Sequence, residues 1–331
     1  MVESGEWGRK SYFRARGFGL TAVMNHLLLL APLPDFLLQP LRSAYVCHDG
    51  VTDLEGVLAR AAGSIRGVVL AGGTRVPEAL LERLPALEIL SVFGVGYDGV
   101  PVESCRRRGL RVSNTPDVLT DDVADLAVAL VLMTSRRLAE AERFLRAGAW
   151  PAGPFPLAHA LRGKTAGIFG LGRIGTAIAH RLAAHGLRIA YHGRRQQPVE
   201  HAYCPTLLEL AEVSDFLVVA CPGGAETRQA VNAEVLAALG PCGTLINIAR
   251  GSVVDEAALV RALEEGLIRA AGLDVFENEP QVPAGLRTSE RVVVLPHVGS
   301  GTHETRAAMA GLVVDNLAAH FAGRPLPTPV C

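Results

Sequence analysis

Thr165-Ala166-Gly167-Ile168-Phe169-Gly170-Leu171-Gly172-Arg173-Ile174-Gly175 is the stretch on which the fold turns. A short apolar run over 166–169 reads as a buried strand, and 174–184 reads as a helix. Between them Gly170, Gly172 and Gly175 stand at the G-x-G-x-x-G spacing. The first glycine permits a tight turn, the second lets backbone approach a pyrophosphate, and the third lets helix and strand pack closely. Phosphates would sit at the helix N-terminus, where free N–H groups and the dipole favour negative charge. Three glycines alone describe any turn; the strand before and the helix after select the dinucleotide reading.

The next signal is an absence. An NAD-binding unit is expected to carry an acidic residue about 20 positions on, against the ribose 2′-OH. Here the second strand, 187–191, runs into His192, Gly193, Arg194 and Arg195. A carboxylate would repel a 2′-phosphate, whereas two guanidiniums can grip one through charge-assisted bonds. The pattern points to NADP(H), with NAD(H) as a possible second cofactor; the alternative is a pair of solvated arginines on a loop.

Working outward, 331 residues allow two domains with full cores. A net charge of −1 gives no bulk attraction to nucleic acid or an anionic membrane. No apolar run reaches the roughly 18 residues of a membrane helix. The six cysteines are scattered, with no zinc-like spacing, which fits reduced thiols in a cytoplasmic protein. Residues 1–23 are polar, basic and aperiodic, and read as a disordered extension, with Met24 as a candidate natural start.

Strands are expected at 27–31, 44–48, 65–71, 87–93 and 111–114, alternating with helical stretches such as 54–62, 77–84 and 101–108. One long helix is expected over 121–147, with Thr120 as its N-cap and Asp121, Asp122 and Asp125 near its start. A second series follows, with six strands at 166–169, 187–191, 216–220, 244–248, 271–275 and 292–295. The fold class is therefore α/β, with two doubly wound parallel-sheet domains. A last helix, 303–321, comes too late for the second sheet and is expected to cross back to the first. That gives a discontinuous, flavodoxin-like substrate domain (24–121 and 304–331) around a Rossmann cofactor domain (122–303), with hinges near 117–123 and 298–304 and a site in the cleft between them.

Three polar residues fall at or just past carboxyl ends of strands in the second series, the edge where ligands bind an open α/β sheet. They are Arg250, Glu279 and His297. An arginine can hold a carboxylate by its fork and polarise a ketone. A histidine, as imidazolium, can give the carbonyl oxygen its proton as hydride arrives. A carboxylate beside it would stabilise that charge. Taken singly, Arg250 could only satisfy strand carbonyls, Glu279 could be a surface turn residue, and His297 an ordinary bonded histidine. In the first series Val95 and Gly96, in the loop 93–98, offer backbone N–H groups to an anion, or form only a tight turn.

From 27 to 322 the chain closely resembles the D-isomer-specific 2-hydroxyacid dehydrogenases. The resemblance rests on Gly94-Val95-Gly96-Tyr97-Asp98, Gly170-Leu171-Gly172-Arg173-Ile174-Gly175, Asn247-Ile248-Ala249-Arg250-Gly251 with Val254-Asp255-Glu256, Gly272-Leu273-Asp274-Val275-Phe276-Glu277-Asn278-Glu279-Pro280, and Pro296-His297-Val298-Gly299-Ser300. Within that family it looks most like the NADPH-using glyoxylate/hydroxypyruvate and hydroxyphenylpyruvate reductases, and Arg194-Arg195 fits that branch. The resemblance implies reduction of small 2-oxo acids such as glyoxylate and hydroxypyruvate to D-2-hydroxy acids. It implies that Arg250, Glu279 and His297 are the catalytic trio and that Val95 and Gly96 bind the substrate carboxylate, with Arg250 and His297 also touching substrate. On the cofactor side it implies Gly170, Leu171, Gly172, Arg173, Ile174 and Gly175; His192, Arg194 and Arg195; Cys221, Pro222 and Thr227; Ile248, Ala249 and Arg250; and Asp274, His297 and Gly299. It also implies a homodimer reached through the long helix and the segment 150–161. The alternative, from another class, is a nucleotide-sensing protein like the transcriptional co-repressors on this scaffold.

Overall fold

A computed structural model describes residues 24–331; the extension expected over 1–23 lies outside them. The first sheet holds β1 (His26–Leu29), β2 (Val46–Asp49), β3 (Ile65–Ala71), β4 (Ile89–Phe93) and β5 (Arg111–Ser113). Its order is β2-β1-β3-β4-β5 and every pairing is parallel. That is the flavodoxin-like order. The second sheet holds β6 (Thr165–Phe169), β7 (Arg188–His192), β8 (Ala202–Tyr203), β9 (Phe216–Val219), β10 (Thr244–Asn247), β11 (Ala270–Leu273) and β12 (Val292–Val294). Its order is β12-β11-β10-β9-β6-β7-β8, again all parallel. Strand order reverses between β6 and β9, and the crevice at that reversal is where such sheets take ligands. Every residue of β6, β9, β10 and β11 is buried. Helices cover both faces, so these strands are largely apolar on both sides rather than alternating.

Each glycine of the turn after β6 has a different reason to be there. Gly170 has φ +98°, and a Cβ on it would meet the backbone of Cys221 at 2.6 Å. A Cβ on Gly175 would lie 2.1 Å from the Gly170 carbonyl oxygen, which lets the helix Arg173–Ala184 close down on the strand. Gly172 is the N-cap of that helix, and a Cβ there would meet nothing within 4 Å.

The helix Thr120–Arg136 lies against Arg173–Ala184, and Arg181 bridges them to Asp121 at 2.8 Å and Asp125 at 2.6 Å. Its Ala124, Ala127, Leu130 and Val131 are fully buried, in one apolar cluster with side chains from both sheets. The last helix, His303–Phe321, packs on β4 and on the helix Asp35–Ala44. Beyond it, Val330 N–H donates to the Val112 carbonyl and Val112 N–H to the Cys331 carbonyl, so the C-terminal segment lies along β5.

Three expectations need correction. The helix expected over 121–147 is two helices, Thr120–Arg136 and Leu138–Arg146, broken at Arg137 with φ +53°. Apolar periodicity runs through the break. At the break Ser135 turns to a segment outside the helix: its carbonyl accepts from His159 N–H and its hydroxyl donates to the His159 carbonyl, so the Ser135 carbonyl is taken from the helical ladder. Thr120 is inside the helix, and its N-cap is Leu119, which makes no side-chain cap bond. The second sheet has seven strands rather than six, because the two residues Ala202 and Tyr203 pair with β7. A strand that short carries no readable alternation.

Gly175→Ala is expected to lower stability by about 1–3 kcal/mol, because the obstructing atom is backbone and helix or strand must shift. Gly172→Ala is expected to stay within about 0.5 kcal/mol. Urea midpoints of the two variants check this; equal values would mean that the helix does not need the close approach.

Candidate active site

Parallel strands end on one edge, so the loops after β9, β10, β11 and β12 meet there beside the glycine turn. Ile248, Ala249 and Arg250 follow β10, Asp274 follows β11, and His297 lies just past β12. The Asn247 side chain shapes the first of these loops, accepting from Ala249 N–H and donating to the Arg250 carbonyl.

His297 and Glu279 are paired, with Nδ1 to Oε2 at 2.8 Å. The other carboxylate oxygen of Glu279 accepts from Phe276 N–H at 3.0 Å. Burial pushes the Glu279 carboxyl up, but the bond to His297, the Phe276 N–H and the nearby charges of His297 and Arg250 outweigh it and hold the group below the usual carboxylate range. His297 and Arg250 are thus both close enough to act electrostatically on the Glu279 carboxylate.

Asp274 is only 1% exposed. Its oxygens accept from Val298 N–H and Gly299 N–H, each at 2.8 Å, and its carbonyl accepts from His297 N–H at 2.8 Å. Burial outweighs these bonds and pushes its carboxyl up. His297 itself has φ +53°, an uncommon backbone for a residue with a side chain.

Arg250 reaches the other sheet. Its Nε donates to Asp98 Oδ1 at 3.1 Å, and Nη1 donates to the Ala249 carbonyl at 2.7 Å. Asp98 belongs to the loop after β4, which also carries Val95 and Gly96. Asn114 donates to the Val95 carbonyl at 2.8 Å and holds that loop. Among the described residues no group accepts from Val95 or Gly96 N–H.

On the other side of the turn, His192 ends β7, its ring beside Phe169 and its Nδ1 2.9 Å from the Cys204 carbonyl oxygen. Arg194 and Arg195 follow it, exposed, and among the described residues neither pairs with a carboxylate. Cys221 backs onto Gly170, and Thr227 donates to the Pro222 carbonyl at 2.7 Å, closing the loop after β9. Leu171, Gly172, Arg173, Thr176 and Gln197 face Asp117 and Thr120 across an open cleft of about 690 Å³. Arg173 pairs with Asp117 at 2.7 Å. Ile174 sits in the first turn of its helix, where N–H groups have no acceptor within the helix.

Sequence reasoning quoted Asp98 but assigned it nothing, and passed over Asp117 and Gln197. A signal existed for Asp98. A carboxylate two positions past a loop expected to bind an anion requires a cation beside it.

Residues 128–299 match the family described as D-isomer specific 2-hydroxyacid dehydrogenase, NAD binding domain. The chain is 50% identical over 307 residues to a hydroxyphenylpyruvate reductase of Plectranthus scutellarioides, covering 92% of this chain and 98% of that one. It is 53% identical over 268 residues to a glyoxylate/hydroxypyruvate reductase A of Arabidopsis thaliana, covering 81% and 86%. Among solved structures it resembles an NADPH-dependent glyoxylate/hydroxypyruvate reductase of Sinorhizobium meliloti in complex with NADP and malonate. That match has a TM-score of 0.87 and 47% identity, and covers 93% of this chain and 97% of the other.

Because Glu279 is held below its ordinary value in the folded state, its ionised form stabilises the fold. That contribution is complete above the ordinary carboxylate range and is lost as pH falls through the folded-state value. Urea midpoints should therefore drop on acidification below about pH 5, and Glu279→Gln should flatten part of that drop. Parallel wild-type and variant curves would show that the pair with His297 carries no such linkage.

Proposed function

The chain belongs to the D-isomer-specific 2-hydroxyacid dehydrogenases, and from that premise we propose how its residues carry out the NADPH-dependent reduction of small 2-oxo acids, glyoxylate and hydroxypyruvate among them, to D-2-hydroxy acids. The observation that carries the assignment of roles is the His297–Glu279 pair at 2.8 Å, with Arg250 acting on the same carboxylate.

The residues present fit an NADP(H) cofactor. The face of Gly172 is open, the first-turn N–H groups of Arg173–Ala184 are free for phosphate, and Arg194 and Arg195 carry guanidiniums that no carboxylate among the described residues occupies. Leu171, Arg173, Ile174, His192, Cys221, Pro222, Thr227, Ile248, Ala249, Asp274 and Gly299 complete the proposed cofactor wall. When bound, the reduced nicotinamide supplies the hydride that adds to C2 of the oxo acid. Arg250 holds the substrate carboxylate and draws electron density toward the ketone oxygen. Val95 and Gly96 offer their N–H groups to the same carboxylate. With Nδ1 engaged by Glu279, Nε2 is the nitrogen of His297 left to deliver a proton to the ketone oxygen, which becomes the hydroxyl. The ionised Glu279 stabilises the imidazolium before transfer and fixes which ring nitrogen is used.

Around this site we propose the division into 24–121 with 304–331 and 122–303. We also propose a cytoplasmic homodimer. Leu138, Leu145, Trp150 and Leu157 are exposed large apolar side chains within one segment, which supports a covered face there. Among the described residues no helix is long and apolar enough to cross a membrane. The nucleotide-sensing alternative is not favoured, since the Arg–Glu–His set is complete and the relatives are reductases.

The direct test is oxidation of NADPH with glyoxylate or hydroxypyruvate, followed at the nicotinamide absorbance; no turnover with any small 2-oxo acid would defeat the reading. His297→Ala should cut kcat by about 10² or more, and an unchanged kcat would remove it as the acid. Arg194→Ala should raise KM for NADPH far more than for NADH; equal effects would return that pair to plain surface arginines.

A further inference from the structure

Arg250 stands at the end of a strand of the second sheet, yet everything that fixes its guanidinium, apart from the neighbouring Ala249 carbonyl, comes from loops packed around it. Three of these loops present glycine. A Cβ on Gly96 would lie 1.7 Å from Nη2, one on Gly72 would lie 3.5 Å from the same atom, and one on Gly223 would lie 2.8 Å from Cγ. The arginine is therefore threaded through a slot that larger residues would fill. Among the described residues the one carboxylate bonded to it is Asp98, whose Oδ1 accepts from Nε. Both side chains are largely sequestered, Arg250 at 20% and Asp98 at 24% exposed. The bond joins the loop after β4 of the first sheet to the loop after β10 of the second.

A guanidinium has five N–H donors in a rigid plane. Asp98 takes the one on Nε and Ala249 takes one on Nη1. Three remain, one on Nη1 and two on Nη2. The terminal edge, where the two Nη nitrogens lie side by side, does not include Nε and is the edge left for a carboxylate or a ketone oxygen.

We propose that Asp98 is a positioning residue for the reduction. It holds Arg250 by Nε across the interdomain cleft, so that only the terminal edge of the guanidinium faces the oxo acid, and only when the two sheets are drawn together. This rests on the reading of Arg250 as the substrate-binding arginine. The contrary view is that Asp98 stands where the substrate carboxylate will bind and is displaced by it. The two views differ in sign. A buttress, when lost, lets the fork swing and weakens substrate binding. A competitor, when lost, frees the arginine and removes a negative charge beside an anionic substrate, so binding tightens.

The test is steady-state kinetics of Asp98→Asn, which keeps the shape and removes the charge. We expect kcat/KM for glyoxylate or hydroxypyruvate to fall about 10- to 100-fold, mostly through KM, as for a misplaced orienting group. The Kd for NADPH should change less than twofold, which a general loss of structure would not allow. In an Arg250→Lys background, which has no Nε–H, the same substitution should cost less than twofold. An unchanged or lowered KM in Asp98→Asn would overturn the proposal while leaving the reductase reading in place. A contact readout needs no turnover. The Arg250 Nε–H should exchange slowly with solvent in the wild-type protein by NMR and much faster in Asp98→Asn. Equal exchange would overturn the proposal whether or not the wild-type protein reduces these acids.

Discussion

The constraint on which the rest depends is that all the strands of the second sheet run in one direction. A parallel sheet puts the carboxyl ends of its strands on a single edge, so loops far apart in sequence open side by side. Arg250, Asp274 and His297 come from the ends of three neighbouring strands, β10, β11 and β12, and Glu279 folds back from the loop after β11. The glycine turn after β6 lies on the same edge, at the reversal of strand order. The crevice proposed for the dinucleotide and the His297–Glu279 pair proposed for proton transfer are thereby adjacent without any element having to bend toward the other. What makes the sheet possible is unspecific: largely apolar strands buried on both faces by helices.

A second layer of contacts ties the two sheets together, and its members are unequal. The apolar cluster running from β1 through Thr120–Arg136 to β6 removes large aliphatic side chains from water and dominates the energetics. The charged bridges near it are mostly solvent-facing. Arg173 and Asp117 are 71% and 65% exposed, so their pairing is worth little for stability. Asp122 differs. It accepts from the hydroxyls of Thr302 and Thr305, which hold its carboxyl below the usual range against the opposing effect of burial. That joins the chain where it leaves the first sheet to the chain where it returns.

Much of this was legible in residues alone, for identifiable reasons. The glycine turn, the strand-end positions of Arg250, Glu279 and His297, and the Val95–Gly96 loop are short, local patterns with one dominant physical cause each. The break at Arg137 was not legible, because nothing in Ser135-Arg136-Arg137-Leu138 resembles a stop signal; what accompanies it is the engagement of Ser135, carbonyl and hydroxyl both, by His159, 24 residues away. The edge strand Ala202–Tyr203 was invisible because two residues have no period. Asp98 was read as part of a loop and left without a task, since its meaning lies in a partner 152 residues on. Local chemistry announces itself in a sequence; a side chain whose work is to hold another does so only once the fold has brought the two together.

The same distinction applies to Asp274. The family resemblance places it on the cofactor side, but its contacts here point to its neighbour. The left-handed backbone of His297 costs energy and persists only where the surroundings leave no choice. Asp274 removes the choice. Its carbonyl takes the N–H of His297, and its two carboxylate oxygens take the N–H groups of the next two residues, three successive donors pinned by one buried side chain and its own backbone. Burial acts against the ionised form of that carboxylate, while the two N–H bonds act for it. The direction of the imidazole is therefore set from below by Asp274 and from the side by Glu279. In the role proposed for it, a proton donor facing a reacting oxygen without searching for it, His297 needs both.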